Sequence, residues 1–460
     1  MDLDLLVVGS GPSGQKAAIQ AAKLGKRVAV VERRQRLGGV SIHTGTIPSK
    51  TLRVAVLDEL ARRPLDVPDP LNPESRERQA IEFLMDRTAR VVGAEAQVVR
   101  EQFRRNRVGL LFGEGSFEDE HTICISDEDG SKTVTAAHIV IACGTNPARP
   151  TGVAFDDETI IDSDGLLHLH QRLPRSMVVV GAGVIGVEYA SMFGRLGTKV
   201  TVVDQRPRVL TFLDGEIGEA LQFILRRNNV TFRLQEAVAG VTSSKGEAIT
   251  KLASGKTIRS ETVLYATGRQ GATDSLNLAK AGLEADKRGR IKVDECYRTT
   301  AKHIFAVGDV AGGAGLAATA MEQGRLAALT AFQEDVTTMP ELVPTGVYAI
   351  PEIGMVGRTE EDLTEAGIPY ASGVARYSEL ARGLMMGDED GMLKLLVSTE
   401  DRTLLGVHVL GTGAADLVHI GQAVMGGGGG VDFLVSAVFN YPTFAEAYKV
   451  AALDAVNRMG

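Results

Sequence analysis

Gly9, Gly11 and Gly14 stand in the run GSGPSG, directly after the apolar run LLVV and before the helical stretch KAAIQAAKL. That spacing suits a dinucleotide. The first glycine permits a tight turn, the second lets backbone approach a pyrophosphate, and the third lets helix and strand pack closely. The helix N-terminus then offers unpaired N–H groups and a positive dipole end to the phosphates. Glu32 ends the next strand, where a carboxylate can accept from ribose hydroxyls. Gly181, Gly183 and Gly186 repeat the arrangement in GAGVIG, with Asp204 ending the strand that follows and Arg206 two residues beyond. An acid there suits the free 2′-hydroxyl of NAD, and an arginine suits the 2′-phosphate of NADP. The second site carries both, so it is expected to admit both cofactors, Asp204 on the ribose diol and Arg206 swinging onto the phosphate. The plainer alternative leaves Arg206 a solvated surface charge.

The elements around these turns read as two related units. Apolar runs at 3–8 and 27–32 flank the first turn, and SMVVVGAGVIG with TVVDQ flanks the second. This internal repeat of strand–helix–strand predicts a parallel, doubly wound α/β sheet in each half. A helix is expected over 49–62, a long charged, amphipathic helix, in one piece or interrupted, over 75–108, and strands over 109–126 and 137–144. ETVLYATG closes the second unit, and HIFAVGD forms a buried strand with Asp309 at its tip. From about residue 345 alternating strands and a terminal helix, TFAEAYKVAALDAVNRM, predict a separate α+β domain, and the glycines at 426–430 read as a mobile loop. The segments expected are 1–150, 151–271, a return segment 272–344, and 345–460.

Composition is that of a globular protein, 44% hydrophobic and 23% charged. The 52 glycines fit many tight βα turns. A net charge of −8 argues against a nucleic-acid surface, which needs a basic patch. The N-terminus carries acids where a signal peptide would carry positive charge, and no stretch approaches the roughly 18 apolar residues of a membrane span. Cys124, Cys143 and Cys296 lie far apart, without CxxC or metal-ligand spacing, so no metal is expected and a reducing cytoplasm fits.

These motifs, with the ACG and ATG turns at 142–144 and 266–268 and the strand tip AVGD at 306–309, resemble the FAD-dependent pyridine nucleotide–disulfide oxidoreductases over essentially the whole chain. The resemblance implies two Rossmann-like domains, for FAD and NAD(P), and a C-terminal α+β domain that builds a homodimer. It implies that Asp309 bonds the ribityl chain, and that GLAATAMEQGR (315–325) is a helix whose start near Ala317 faces the flavin pyrimidine edge, where a helix N-terminus stabilises negative charge. Read without the resemblance, that segment is an Ala-rich core helix. The resemblance adds Arg33, Gly39, Ser41, Thr46, Gly115 and Gly144 to the FAD contacts and Gly268 to the NAD(P) side. It pairs Lys50 with Glu188 beside flavin N5, where a lysine aligns the nicotinamide and stabilises electron density on the ring.

Two departures narrow the chemistry. In GGVSIHTGTIPSK the disulfide reductases of the family carry a CxxxxC pair where this chain has Ser41 and Thr46, and hydroxyls form neither a disulfide nor a thiolate. In NYPTFAEAY the family's acid–base histidine is replaced by Tyr441, although Glu446 remains. The pattern resembles the branch of soluble pyridine nucleotide transhydrogenases, in which the second cysteine is a threonine; Ser41 departs even from that branch. The expectation is hydride transfer between NADPH and NAD+ in a ping-pong cycle, with FAD as the relay and one nicotinamide pocket. Tyr441 and His43 are read as packing groups. The alternatives are an NAD(P)H oxidase or quinone reductase on the same scaffold, and a non-catalytic nucleotide-sensing protein.

Overall fold

The computed structural model describes residues 1–62, 73–168, 173–244, 246–333 and 338–460. Strand Val28–Glu32 is buried along its whole length, as a parallel strand covered on both faces must be, and its β-branched run supplies that apolar surface. It pairs in parallel with Leu3–Val8 on one side and Gly109–Phe112 on the other. Leu3–Val8 pairs next with the C-terminal half of Gly130–Ile141, which pairs with Ile304–Ala306. The N-terminal half of that long strand turns away into an antiparallel extension with Thr122–Asp127 and Glu114–Phe117. Helix Pro12–Lys23 covers the parallel part and packs on helix Ala317–Ala331. Their contact is close because it is made of small side chains: Ala17, Ala18 and Ala21 meet Ala327, Ala328 and Ala331 in one buried cluster.

The second unit repeats this plan. Val230–Leu234, Lys199–Asp204, Ser176–Val180, Thr262–Tyr265 and Ile160–Asp162 form a parallel sheet in that order. Helices Val184–Leu196 and Gly215–Arg227 pack on it, and an antiparallel meander of Val238–Ser244, Glu247–Leu252 and Thr257–Ser260 lies beside it. Thr145–Pro147 and Arg269–Gly271, the segments leaving and re-entering the first unit, pair antiparallel. The C-terminal region is an antiparallel five-stranded sheet, ordered Thr345–Val347, Ile353–Gly357, Leu404–Leu410, Met392–Ser398 and Tyr370–Arg376. Helices Ala414–Gly426 and Ala447–Met459 cover it.

Two local expectations change and one alternative is settled. The helix expected from residue 49 begins at Thr46, a turn earlier, because Pro48 lacks only an N–H that the first turn leaves unpaired anyway. Of the two forms open for the long helix, the uninterrupted one is found, Pro73–Arg105. The glycines at 426–430 form a tied turn rather than a loose loop: the N–H groups of Gly427, Gly428 and Gly429 donate to Ala423, Met425 and Val424, and Gly430 bridges to Thr403. They end a helix, the usual place for glycine.

Candidate active site

The first glycine turn is built as its spacing demands. Gly9 has a φ of 111°, and a methyl on it would strike the carbonyl of Ala142 on the neighbouring strand. A methyl on Gly14 would strike the carbonyl of Gly9 itself, so this glycine serves helix–strand packing and does not line the cavity. Gly11 is different: no heavy atom lies within 4 Å of where its Cβ would be. It opens onto a cavity of about 1240 Å³, counted with its mouth. Glu32 lies in the wall, its Oε2 accepting from the backbone N–H of Ser10 at 3.1 Å and from its hydroxyl at 2.5 Å. Ser10 Oγ also accepts from Gly38 N at 2.9 Å, tying the strand end to the next loop.

The same cavity gathers residues that lie far apart in the sequence. Arg33, Gly39, Ser41, Thr46, Gly115, Gly144, Asp309 and Ala317 all line it. Ser41 sits on the short helix Gly39–His43, and Thr46 opens the helix that carries Lys50. Arg33 donates to Asn146 at 3.3 Å. Ala317 is the first residue of its helix, with Leu316 extended before it, so unpaired N–H groups face the cavity end. Asp309 accepts from the Thr145 hydroxyl at 3.3 Å, and that hydroxyl accepts from Arg269 Nε at 2.8 Å. Gly308, at a φ of 75°, donates its N–H to Gln323 Oε1 at 2.7 Å and so fixes the turn that presents Asp309. Glycine backbone, the N-termini of two helices, the buried Glu32 and the half-buried Asp309 for ribose and ribityl hydroxyls fit a long dinucleotide such as FAD.

The second turn reproduces the first. A methyl on Gly181 would strike the carbonyl of Ala266, and one on Gly186 the carbonyl of Gly181. Ala182 N donates to Asp204 Oδ2 at 2.6 Å, the counterpart of the Ser10–Glu32 bond. Gly268, at a φ of 120°, accepts from Ala148 N at the crossing between the units. Arg206 is exposed, and its guanidinium turns back onto Asp204. Its Nε and Nη2 reach Asp204 Oδ1 and Oδ2 at 2.9 and 2.6 Å. Burial alone would raise the Asp204 carboxyl; the Arg206 side chain and two backbone N–H groups outweigh it and hold the group below its usual range. Arg208 turns away to Glu361 at 2.7 Å.

Between the two cradles Lys50 meets Glu188 at 2.7 Å, and Glu188 is 2% exposed. Both come from helices, Thr46–Arg62 and Val184–Leu196, that pack on each other. Sequence reading missed the third member, Tyr348. Its backbone N–H donates to Glu188 Oε1 at 2.9 Å, and its ring lies 5.0 Å below the Lys50 ammonium. The same strand end anchors both helices, since Arg53 donates to Ala349 O at 2.8 Å and Ile350 N to Ser191 Oγ at 3.0 Å. Ser10, Thr145, Arg269 and Gln323 were also missed. Ser10 and Gln323 lie inside the quoted GSGPSG and GLAATAMEQGR runs, and Thr145 and Arg269 directly follow the ACG and ATG turns.

Cys143 lines the cavity, its thiol pushed up to about 12 by burial, whereas Cys124 and Cys296 do not line it. Tyr441 is 65% exposed, and Glu446 Oε2 is buried without a hydrogen-bond partner. No described helix is long and apolar enough to cross a membrane.

Likeness to known proteins agrees with this geometry. Residues 3–324 match the pyridine nucleotide-disulphide oxidoreductase family, and residues 343–452 match its dimerisation domain. A soluble pyridine nucleotide transhydrogenase of Mycobacterium bovis is 57% identical over 467 aligned residues, covering 100% of this chain and 98% of that one. One of Shigella flexneri is 42% identical, covering 100% and 99%. An HOCl-induced flavoprotein disulfide reductase from Escherichia coli shares the fold at a TM-score of 0.87 and 26% identity, covering 98% and 99%. Two repeated cradles, the site between them and likeness along the full length lead to one conclusion: this chain belongs to the pyridine nucleotide-disulphide oxidoreductase family.

Proposed function

We propose that this chain is an FAD-dependent transhydrogenase that passes hydride between NADPH and NAD+ without a redox-active disulfide. The observation that carries the reading is the Lys50–Glu188 pair standing intact one helical turn beyond Thr46, while Ser41 and Thr46, at the dithiol positions, line the cavity. The relatives named as transhydrogenases support it. FAD held in this cavity would supply the hydride-accepting and hydride-donating chemistry between the two nicotinamides. Gly9, Gly11, Glu32, Arg33, Gly39, Gly115, Gly144, Asp309 and Ala317 line its cavity and Gly14 packs beneath. Gly181, Gly183, Gly186, Asp204, Arg206 and Gly268 hold the nicotinamide dinucleotide. Lys50, held in place by its ion pair with Glu188, places positive charge where hydride arrives and leaves. Cys143, protonated at neutral pH and without a second cysteine in the wall, offers no thiolate route. Nicotinamide needs no general acid, so Tyr441 in place of a histidine is no obstacle.

The segments 1–150 and 272–344 then form the FAD unit, 151–271 the NAD(P) unit and 345–460 the interface unit. A homodimer through the last of these is supported by the match to a dimerisation domain and by the exposed Phe433, Val438, Tyr441 and Leu453. A cytoplasmic location accords with three free cysteines. The test is anaerobic steady-state transfer from NADPH to the thionicotinamide analogue of NAD+. Parallel double-reciprocal lines support a ping-pong relay; no transfer without oxygen or a quinone assigns the chain to the oxidases or quinone reductases instead.

A further inference from the structure

A buried lysine ties the second unit to the C-terminal sheet. Asp214 is the N-cap of helix Gly215–Arg227, its Oδ1 accepting from Glu216 N at 3.2 Å. The same oxygen accepts from Lys394 Nζ, on strand Met392–Ser398, at 2.8 Å, and Oδ2 accepts from Glu360 N at 3.2 Å. Lys394 also meets the carboxylates of Glu216 and Glu360, each at 3.1 Å. It is 1% exposed and Asp214 0%. Apolar side chains would join two packed faces as well as a buried ion pair does, so cohesion alone does not account for the cluster. What it adds is a fixed place for Asp214, and Asp214 ends the segment that leaves Asp204. Within that segment Leu210 stands at a φ of 45°, a left-handed conformation that such side chains rarely hold. Its N–H donates to the Ala182 carbonyl at 3.1 Å, inside the glycine turn of the nicotinamide cradle. Val209, Leu210 and Leu213 share one buried cluster with Ala182 and with Met392 and Leu410 of the C-terminal sheet.

We infer that Lys394 is a positioning residue for the nicotinamide dinucleotide, acting through Asp214 and Leu210 and not by touching the ligand. Strain of the kind at Leu210 persists only where its surroundings over-determine it. Here the strand tip holds one end of the segment, through Arg206 on Asp204, and Lys394 holds the other, with Arg208 on Glu361 at 2.7 Å alongside. Released at the Lys394 end, Leu210 relaxes and its bond to Ala182 is lost. That bond fixes the peptide joining Ala182 to Gly183, the backbone that approaches the pyrophosphate. The C-terminal sheet thereby sets the shape of a cradle that it does not line. Arg227 and Asp390, 2.9 Å apart, join the same helix to the same sheet region at the far end, away from the strained segment. The inference rests on the reading that the second cradle holds the nicotinamide dinucleotide.

The experiment is calorimetric titration of the oxidised, FAD-loaded enzyme with NAD+ and with NADP+, well below its melting temperature, alongside amide hydrogen exchange. Lys394→Met alone strands the Asp214 charge in the interior, at a cost that can prevent folding. The paired variant Asp214→Asn with Lys394→Met removes both charges and keeps a side chain able to cap the helix. It is expected to bind both dinucleotides about fivefold more weakly, the competent turn having become the minor population. FAD content stays at that of the parent, and exchange quickens over 181–186 and 205–218 only. Arg227→Gln is expected to bind as the parent does. Parent-like affinity in the paired variant, even with a lower melting temperature, overturns the inference, and so does an equal loss in Arg227→Gln. A parent enzyme that binds neither dinucleotide would refute the assignment of the cradle, and the inference with it.

Discussion

Lys50 and Glu188, 138 residues apart in sequence, meet with Nζ 2.9 and 2.7 Å from the two carboxylate oxygens. Glu188 is almost wholly buried, and its Oε1 takes a further bond from Tyr348 N. Removing one partner of such a pair leaves the other charge uncompensated in poor solvent. Glu188→Gln keeps the shape and loses the charge that neutralises and aims Lys50. Hydride transfer from NADPH is expected to slow about 10²-fold, the scale of losing one preorganised electrostatic group, while FAD content stays at that of the parent. Rapid-mixing absorbance measures it; an unaltered rate would reduce the pair to a structural bolt.

The two cradles can be disabled separately. In Gly186→Ala the added methyl meets the Gly181 carbonyl, which is backbone and cannot rotate away. The variant is expected to purify yellow with FAD bound, yet to lose binding of both nicotinamide dinucleotides. Gly14→Ala, with the same collision against Gly9, is expected to lose FAD instead. Flavin absorbance and dinucleotide titration on both proteins distinguish the cradles.

Thr145 joins Arg269 to Asp309 through one hydroxyl. Thr145→Val removes both bonds at nearly constant shape. With a hydrogen bond worth about 1 kcal/mol net, FAD is expected to bind roughly fivefold more weakly, measured by recovery of flavin fluorescence on dilution. Equal affinity would mean that Asp309 needs no support.

Stability should fall on acidification. His408 is buried, with one ring nitrogen 2.9 Å from the Arg358 carbonyl and Nδ1 without a partner. Burial, chiefly, pushes its pKa down; Lys394 adds to that, while Asp214, Glu361 and the Arg358 carbonyl oppose it. The unfolded chain therefore takes up a proton near pH 6.5 that the folded chain refuses, so stability is full above that pH and declines below it. His408→Gln is expected to flatten the fall in melting temperature between pH 7.5 and 5.5, where one group contributes at most about 1.4 kcal/mol per pH unit. His138, lowered first by burial, retains part of the slope. An identical slope in parent and variant would rule His408 out.

What could be read from sequence follows how local each signal is. Both glycine turns, Glu32 and Asp204 lie within single strand–helix–strand units, so their spacing already states their geometry. Lys50 and Glu188 were found because each sits in a compact motif, although no local rule brings them together. Tyr348 was invisible: its part is played by a backbone N–H and a ring face delivered from the C-terminal sheet. Arg206 was recognised as a neighbour of Asp204, but that its guanidinium lies over Gly183 depends on a rotamer that only the folded loop selects. The run of glycines misled because composition cannot tell a helix-ending turn from a loose loop.

In a transhydrogenase hydride leaves as it arrives, through a nicotinamide and not through a thiol or oxygen. Anaerobic stopped-flow absorbance of the FAD-loaded enzyme, bleached by one equivalent of NADPH and then mixed with NAD+, tests it most directly. Rapid bleaching is expected, followed by rapid return of the oxidised spectrum with NADH formed in equal amount. Bleaching that persists in NAD+ and reverses only when oxygen or a quinone is admitted would contradict it.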